Sequence, residues 1–237
     1  MTHSRASHLP LYLPYVANKR GLEIGGPSDV FRRGQPLDLY KYVTALDNCN
    51  FSQSTVWGEQ DENYTFDSEK KPGKSLFCDG SALVSVKDST YDFVLSSHNL
   101  EHFANPVKAL KEWKRVIRPS SALILAIPYY RWTFDHRRKP TCVDHMMEDF
   151  ARDVGEDDLT HLPEIMEKHD LSMDPGAGSA EEFRKRSLDN FSNRCLHHHV
   201  FDKTNSSELL RRTGFNVQAI DLVFPCHICI LATVNNH

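Results

Sequence analysis

Short apolar runs of strand length alternate with longer amphipathic or polar segments along much of the chain. Five such runs occupy residues 21–25, 43–47, 75–79, 93–98 and 122–128, and each ends in Gly, Pro or a polar residue. Strands that alternate with segments of helix length are typical of a parallel sheet covered by helices on both faces. The pattern therefore predicts a doubly wound α/β fold.

The second half of the pattern predicts how the sheet ends. Residues 106–117 place apolar side chains three or four apart, which predicts an amphipathic helix. Residues 206–212 predict another helix, with a Ser cap and a stop at Gly214. The runs 217–223 and 226–234 follow with a two-residue link, which is too short for a crossover helix, so we expect them to pair antiparallel. The expected sheet has seven strands and is mostly parallel, with an antiparallel C-terminal strand.

A charged segment at residues 129–196 shows no strand pattern but predicts helices at 157–169 and 180–190, separated by a breaker run. An insertion of this length with its own helices is typical of a lid or substrate-binding cap. We therefore expect one domain over residues 1–237. Its parts are an N-terminal segment at 1–20, a cofactor-binding core at 21–128, the cap at 129–196 and a closing helix and strand pair at 197–237.

Composition narrows the class of function. The chain has 237 residues, 40% of them hydrophobic, and a formal net charge of -4. This balance disfavours a nucleic-acid partner, because such proteins carry basic patches, and favours a small-molecule substrate. No signal-peptide pattern or apolar run of membrane-spanning length occurs, so we expect no membrane partner, a cytoplasmic location and six reduced cysteines.

The ligand of an open parallel sheet lies beyond the carboxyl ends of its strands. Residues of interest at the first three ends are Glu23, Gly25, Gly26, Pro27, Asp47, Asp79 and Gly80. Asp47 follows Gly25 by 22 residues, which is close to the ~20-residue spacing at which a carboxylate binds ribose hydroxyls. A carboxylate at Asp79 can face an adenine amino group across the same cleft. These strand ends predict a nucleoside-containing cofactor.

Four ordered segments between residues 21 and 128 resemble the type 11 branch of class I S-adenosylmethionine-dependent methyltransferases: LEIGGPS, CDGSAL, YDFVLSSHNLEHFANP and EWKRVIRPSSALILAIP. The resemblance implies S-adenosylmethionine as cofactor. It implies that Gly25 and Gly26 lie near the methionyl part, that Asp47 holds the ribose, and that Asp79 lies by the adenine. Ser97 and His98, at the fourth strand end, join the expected cofactor contacts.

The glycine loop departs from the family pattern E-x-G-x-G-x-G, because Pro27 and Asp29 stand at its second and third glycines. The loop also lacks the G-x-G-x-x-G of nicotinamide dehydrogenases, in which a pyrophosphate binds at a helix N-terminus. S-adenosylmethionine has no pyrophosphate, so the departure favours it over a nicotinamide.

Methyl transfer from a sulfonium is an in-line displacement that needs alignment, and it needs a base only where the acceptor carries a proton. Candidate bases are His98, His102 and His136, which lie at or after strand ends. Candidate acceptor contacts are the residues after the fifth strand and two histidines before the last helix, namely Tyr129, Tyr130, Arg131, His198 and His199.

The run of three histidines at 197–199 raises the question of a metal, with Asp135, Asp144 or His145 as partners. Adjacent residues of an extended segment point to opposite faces, so at most two of the three could share an ion. We therefore assign no metal and expect structural or substrate contacts. The C-x-x-C at Cys226 and Cys229 has no second pair and is interpreted as core.

The sequence thus predicts a methyltransferase that uses S-adenosylmethionine to modify oxygen, or less favourably nitrogen, on a small acceptor held under the cap. Three alternatives stay open: a catalytically silent module that binds the same cofactor, a nicotinamide-dependent enzyme of related fold, and a metal-assisted methyltransferase. The acceptor itself, sugars and other secondary metabolites included, is not fixed by these residues.

Overall fold

The computed structural model describes residues 9–234, so the expectations for residues 1–8 and 235–237 lie outside the described residues. Within this range ten strands form: β1 Arg20–Ile24, β2 Ala45–Asn50, β3 Ser54–Thr55, β4 Gly58–Glu59, β5 Asn63–Tyr64, β6 Gly73–Phe77, β7 Tyr91–Ser97, β8 Ile117–Pro128, β9 Phe215–Val223 and β10 His227–Val234. Strands β3 and β4 make a separate hairpin, and the other eight of this range make one sheet.

The main sheet has the order β5-β6-β2-β1-β7-β8-β10-β9. Strands β6, β2, β1, β7 and β8 run parallel, whereas β10 is antiparallel to both β8 and β9. The predicted doubly wound, mostly parallel sheet and its antiparallel ending are confirmed. The eighth strand, which the sequence does not predict, is the two-residue β5 that pairs antiparallel with the edge strand β6.

Helices cover the sheet and build the cap: α1 Leu9–Val16, α2 Pro106–Val116, α3 Val143–Ala151, α4 Leu162–Lys168, α5 Ala180–Leu188, α6 Asn190–Asn193 and α7 Lys203–Arg212. One core layer lies between the sheet and α2, α3 and α7, with Trp113 fully buried in it. The opposite layer contains side chains of α1 and of residues 30–43, which form short 3₁₀ turns rather than a helix.

Three helix boundaries differ from the predicted ones. The predicted Ser cap of the last helix is wrong, because α7 is capped by Asp202, whose side chain accepts from the backbone N–H groups of Thr204 and Asn205. In the cap, α4 and α5 are shorter than predicted, and α3 was not predicted. Among residues 9–234 we find no helix with the length and apolar character needed to span a bilayer.

Candidate active site

The carboxyl ends of β1, β2 and β7 open into one cleft with a volume of about 780 Å³. Its walls come from the glycine loop after β1, the end of β2, the turn after β7, the β3–β4 hairpin and the start of β10. The residues predicted for the site that line this cleft are Gly25, Gly26, Pro27, Ser97, His98 and His102. This volume falls within the ~300–1,000 Å³ typical of small-molecule sites.

The loop after β1 is shaped for glycine at two positions. Gly25 has φ +76°, and a Cβ there would lie 2.3 Å from Asn99 Nδ2. A Cβ on Gly26 would lie 2.2 Å from the Tyr64 hydroxyl. Since neither position has room for a side chain, the backbone itself forms this wall of the cleft.

Glu23 supports the loop from below and does not line the cleft, in contrast to its predicted contact with the cofactor. It is fully buried and accepts hydrogen bonds from Ser28 Oγ at 2.6 Å and from the hydroxyls of Tyr40 and Tyr64. Burial raises the pKa of the Glu23 carboxyl, and these donors oppose the shift. The carboxylate therefore fixes the shape of the loop rather than a ligand.

Asp47 lies inside β2, three residues before the strand ends at Asn50. Its carboxylate accepts hydrogen bonds from Arg20 Nη2 at 2.6 Å, Lys74 N at 3.0 Å and the Tyr91 hydroxyl at 3.0 Å. Arg20 and Tyr91 begin β1 and β7, so these contacts lie at the amino ends of the strands. The prediction that Asp47 ends the second strand and faces a ribose is wrong, because β2 continues to Asn50, which lines the cleft.

A small recess of about 40 Å³ adjoins the cleft beside Asp79 and Gly80. The prediction that the third strand ends at Asp79 is wrong, because β6 ends at Phe77 and Asp79 lies in the turn that follows. Phe51 lines it, and the guanidinium of Arg194, from the cap, lies 5.5 Å from the centre of the Phe51 ring. Arg194 Nη1 also lies 3.3 Å from both Asp79 Oδ2 and Glu156 Oε1. The cap therefore reaches across the recess, with an aromatic ring and carboxylates available to a nucleobase.

Two imidazoles face each other at the floor of the cleft. His98 follows β7 with φ +47°, a region that non-glycine residues rarely adopt and that is enriched at functional sites. His98 Nε2 lies 2.8 Å from His227 Nδ1, so one proton is shared between the rings. Burial lowers the pKa of His98 to about 3, so this ring is uncharged at neutral pH.

Glu101 lies under these rings with 0% exposure, and neither of its carboxylate oxygens has a hydrogen-bond partner. Its Oε1 is 3.9 Å from His98 Nδ1, 3.9 Å from His102 Nε2 and 4.0 Å from His197 Nε2. Burial raises the pKa of Glu101 to about 7. The carboxylate can therefore change its charge near neutral pH and act on the three imidazoles.

His197 is held on its other side by Asp135, whose Oδ2 lies 2.5 Å from His197 Nδ1. Burial opposes the charged form of the ring, but the charge of Asp135 outweighs it and raises the pKa of His197. Arg138, also fully buried, binds the same Asp135 at 3.0 Å. A row of charges thus runs from Arg138 through Asp135 and His197 towards Glu101.

Two predicted acceptor contacts lie in the interior instead. His198 is 0% and His199 1% exposed, so neither side chain reaches the cleft. His198 Nε2 lies 3.0 Å from Asn190 Nδ2, and His199 Nε2 lies 3.2 Å from the carbonyl oxygen of Ala104. Their placement corrects the prediction, because residues 197–199 form no regular strand and both rings turn into the cap.

Four more predicted residues lie outside the cleft lining. His136 is exposed and bonds to Asp170 Oδ2 at 2.9 Å, so its predicted role as a base is not supported by this structure. Tyr129, Tyr130 and Arg131 lie in the turn after β8, where the two tyrosine rings pack edge to face and Arg131 lies over the Tyr130 ring. Tyr129 also packs on Trp132 and against the main core, and none of the three residues lines the cleft.

Sequence reasoning missed several residues of the site. His227 was included in an apolar run interpreted as buried strand, although a histidine at the start of such a run is a signal for a strand end. Glu101 and Asn99 both lie between the candidate histidines His98 and His102. Trp57, at the tip of the β3–β4 hairpin, packs edge to face on His102 with ring centres 5.4 Å apart.

Comparisons with known proteins agree with this architecture. Residues 36–125 match the model of the type 11 methyltransferase family, described as a methyltransferase domain. No curated protein is significantly similar in sequence. A chain from the complex between the Haloferax volcanii methyltransferase activator Trm112 and a methyltransferase is 13% identical, with a TM-score of 0.55, and the match covers 97% of this chain and 88% of that one.

Two further solved structures are similar in fold. A SAM-dependent methyltransferase of Methanosarcina mazei is 14% identical, with a TM-score of 0.51 over 96% of this chain and 98% of that one. An S-adenosylmethionine-dependent methyltransferase of Mesorhizobium loti is 11% identical, with a TM-score of 0.51 over 95% of each chain.

Proposed function

Because the chain belongs to the class I S-adenosylmethionine-dependent methyltransferases, in a type 11-like branch, we propose that it methylates a hydroxyl group of a small molecule bound in the cleft. The observation that carries this proposal is the pair of hydrogen-bonded imidazoles, His98 and His227, which line the cleft above the buried carboxylate of Glu101. A hydroxyl acceptor must lose a proton on methylation, and this pair can take it.

The residues present fit the cofactor. The side-chain-free backbone at Gly25 and Gly26 leaves a cradle that a Cβ would fill, and Asp79 and Phe51 offer a carboxylate and a ring to an adenine. When bound, S-adenosylmethionine supplies an electrophilic methyl group on a sulfonium sulfur. The loop, the end of β2 at Asn50 and the recess would hold it, and Glu23 would keep the loop in shape.

The protein's own contribution is to hold the acceptor and to accept a proton. In our proposal His227 takes the hydroxyl proton, and its Nδ1 shares a proton with His98 Nε2 at 2.8 Å. The far nitrogen of His98 lies 3.9 Å from Glu101, so an ionised carboxylate stabilises the positive charge that forms on the imidazole pair. Activity is therefore expected to rise with pH through about 7, as Glu101 ionises.

Charged side chains on the cleft wall limit which net charge the methyl acceptor can carry. Asp29, Glu59 and Asp61 are exposed residues of the lining. The two arginines of the lining are already paired, Arg32 with Asp29 at 3.1 Å and Arg194 with carboxylates of the recess. A wall with this surplus of carboxylates repels polyanions, so we propose an uncharged or cationic small molecule as acceptor.

Binding and transfer are measured separately. The purified protein is titrated calorimetrically with S-adenosylmethionine and S-adenosylhomocysteine, and labelled methyl transfer is then followed into a panel of alcohols, phenols, amines and carboxylic acids. We expect cofactor binding and transfer to a hydroxyl compound. Binding with no transfer to any compound of the panel would favour the silent binding module instead.

A matched pair of variants tests the base. His227→Gln should lower turnover about 100-fold or more at unchanged cofactor affinity, because a positioned base contributes about that factor. His136→Gln removes an exposed histidine outside the cleft and should turn over like the unmodified protein. Wild-type turnover in His227→Gln would remove this histidine from the proposed reaction.

A further inference from the structure

A second group of histidines lies in the cap, outside the cleft. His145 and Asp149 are one turn apart on α3, His161 directly precedes α4, and His199 belongs to the extended segment before α7. One ligand atom of each of these four residues lies within 4.8 Å of the ligand atoms of the other three. We call these four residues the cap cluster.

The distances between side-chain nitrogen and oxygen atoms of the cap cluster are those of groups arranged around one point. His145 Nε2 lies 3.2 Å from His161 Nε2 and 3.4 Å from Asp149 Oδ2, and the ring of His199 approaches the same oxygen to 3.7 Å. Ligand atoms around a tetrahedral Zn²⁺ with bonds of ~2.0–2.1 Å are separated by about 3.4 Å. The cap cluster has close to this spacing.

Two buried polar atoms of the cap cluster have no hydrogen-bond partner. Asp149, which is 5% exposed, leaves Oδ2 unpaired, and His199, which is 1% exposed, leaves Nδ1 unpaired. A buried carboxylate oxygen without a donor is costly, and native proteins almost always satisfy such groups. A cation at the centre of the cluster would compensate the carboxylate.

The cap has little apolar core to hold its segments together. Its own cluster of buried hydrophobic side chains consists of Leu162, Ile165, Ala177, Phe183 and Leu196. None of these belongs to α3. An ion bound by the cap cluster would join α3, the start of α4 and the segment before α7. His161 follows Asp149 by 12 residues, and His199 follows His161 by 38.

We propose that His145, Asp149, His161 and His199 bind one divalent transition-metal ion, with Zn²⁺ as the ion that best fits three imidazoles and one carboxylate. His145 is 39% exposed in its side chain, so the site is open to solvent on one side. His199 Nε2 faces the carbonyl oxygen of Ala104 at 3.2 Å, which can fix the ring, so in this proposal its unpaired Nδ1 is the nitrogen that binds the ion.

Metal content tests the proposal without reference to activity. The whole chain is produced without a histidine tag in zinc-supplemented medium, and metal per chain is measured by mass spectrometry after dialysis. We expect about one zinc per chain, most of it lost in Asp149→Ala and in His161→Gln. His136→Gln, on the exposed surface of the cap, should keep the full content. A metal-free wild type, or zinc retained in both ligand variants, would overturn the assignment.

A spectroscopic measurement remains decisive where the ligand variants fail to fold. Wild-type protein freed of metal by chelation is titrated with Co²⁺, which gives visible d–d bands when bound at low coordination number. His161→Cys keeps a ligand at the position and should add a charge-transfer band from thiolate to Co²⁺. Absence of visible bands in the wild type, or of the thiolate band in His161→Cys, would contradict the proposed ligand set.

Discussion

Replacing Asp47 with alanine is expected to destabilise the fold while leaving the affinity for S-adenosylmethionine unchanged. The substitution removes the acceptor for Arg20, for the backbone N–H of Lys74 and for the buried Tyr91 hydroxyl. Hydrogen bonds to a charged group contribute about 1.5–3 kcal/mol each, and the exposed half of the Arg20 pair contributes little. We expect a loss of about 2–3 kcal/mol in the free energy of unfolding, or about 5–10 °C in Tm for a chain of this length.

The matched comparison for Asp47→Ala is Asp79→Ala, which should lose affinity for the cofactor. Asp79 lines the recess and bonds to the backbone N–H of Ser81 at 2.8 Å. Removing its carboxylate should weaken S-adenosylmethionine binding about 5- to 100-fold, which corresponds to about 1–3 kcal/mol. Calorimetric titration and thermal unfolding of both variants separate the two roles. A fivefold or larger loss of affinity in Asp47→Ala, at wild-type Tm, would refute the placement of Asp47 away from the site.

Three further changes test the cleft. Burial raises the pKa of Glu101 to about 7, above its unfolded value of about 4.3, so the unfolded chain loses this proton first and the folded state loses stability as pH rises between these values. The free energy of unfolding of Glu101→Gln, measured with urea relative to wild type, should therefore be about 3 kcal/mol higher at pH 8 than at pH 4. The same difference between variant and wild type at both pH values would contradict this. Gly26→Ala places a Cβ 2.2 Å from the Tyr64 hydroxyl and should cost about 1–3 kcal/mol of stability and weaken cofactor binding, checked by unfolding and titration. Trp57→Ala, at an exposed residue packed on His102, should raise KM for the acceptor and change stability by less than about 0.5 kcal/mol; an unchanged KM would place the hairpin outside acceptor binding.

The strands of the sheet were predictable because apolar runs of strand length leave few other interpretations. The end of β2 was not, because residues 48–50 are Asn, Cys and Asn, which resemble a turn in sequence. In the structure Asn48 and Cys49 pair with Glu23 and Ile24 of β1, so the ladder continues through polar residues, and the buried Asn48 Oδ1 accepts the Gly26 N–H at 3.0 Å. The spacing of 22 residues from Gly25 to Asp47 locates the second strand in the sequence. The residue at which β2 ends is set by its backbone pairing with β6.

The cap was predictable as an insertion but not in its chemistry. The pair His145 and Asp149 lies four residues apart, a spacing that places both on one helical face, yet α3 itself was not predicted. The prediction of no metal considered the histidines at 197–199 together, whereas the cap cluster takes only one of them. His161 and His199 reach the cluster through the packing of the cap, which no local pattern in the sequence records.

The run of three histidines at 197–199 connects the residues under the cleft with the cap cluster. Residues 194–200 lie in no helix or strand, so the rings of His197 and His199 need not share one face as alternate residues of a strand would. His197 faces Glu101 under the cleft, and His199, two residues later, joins Asp149 in the cap. Only one residue separates His197 from His199. The same short segment therefore sets the distance from His197 to Glu101 and brings His199 to the cap cluster. The packing of the cap is therefore a condition for the charge arrangement under the cleft. That packing comes from two sources, the cap's own small apolar cluster and the side chains of Val143 and Met146 on α3, which lie in the main core.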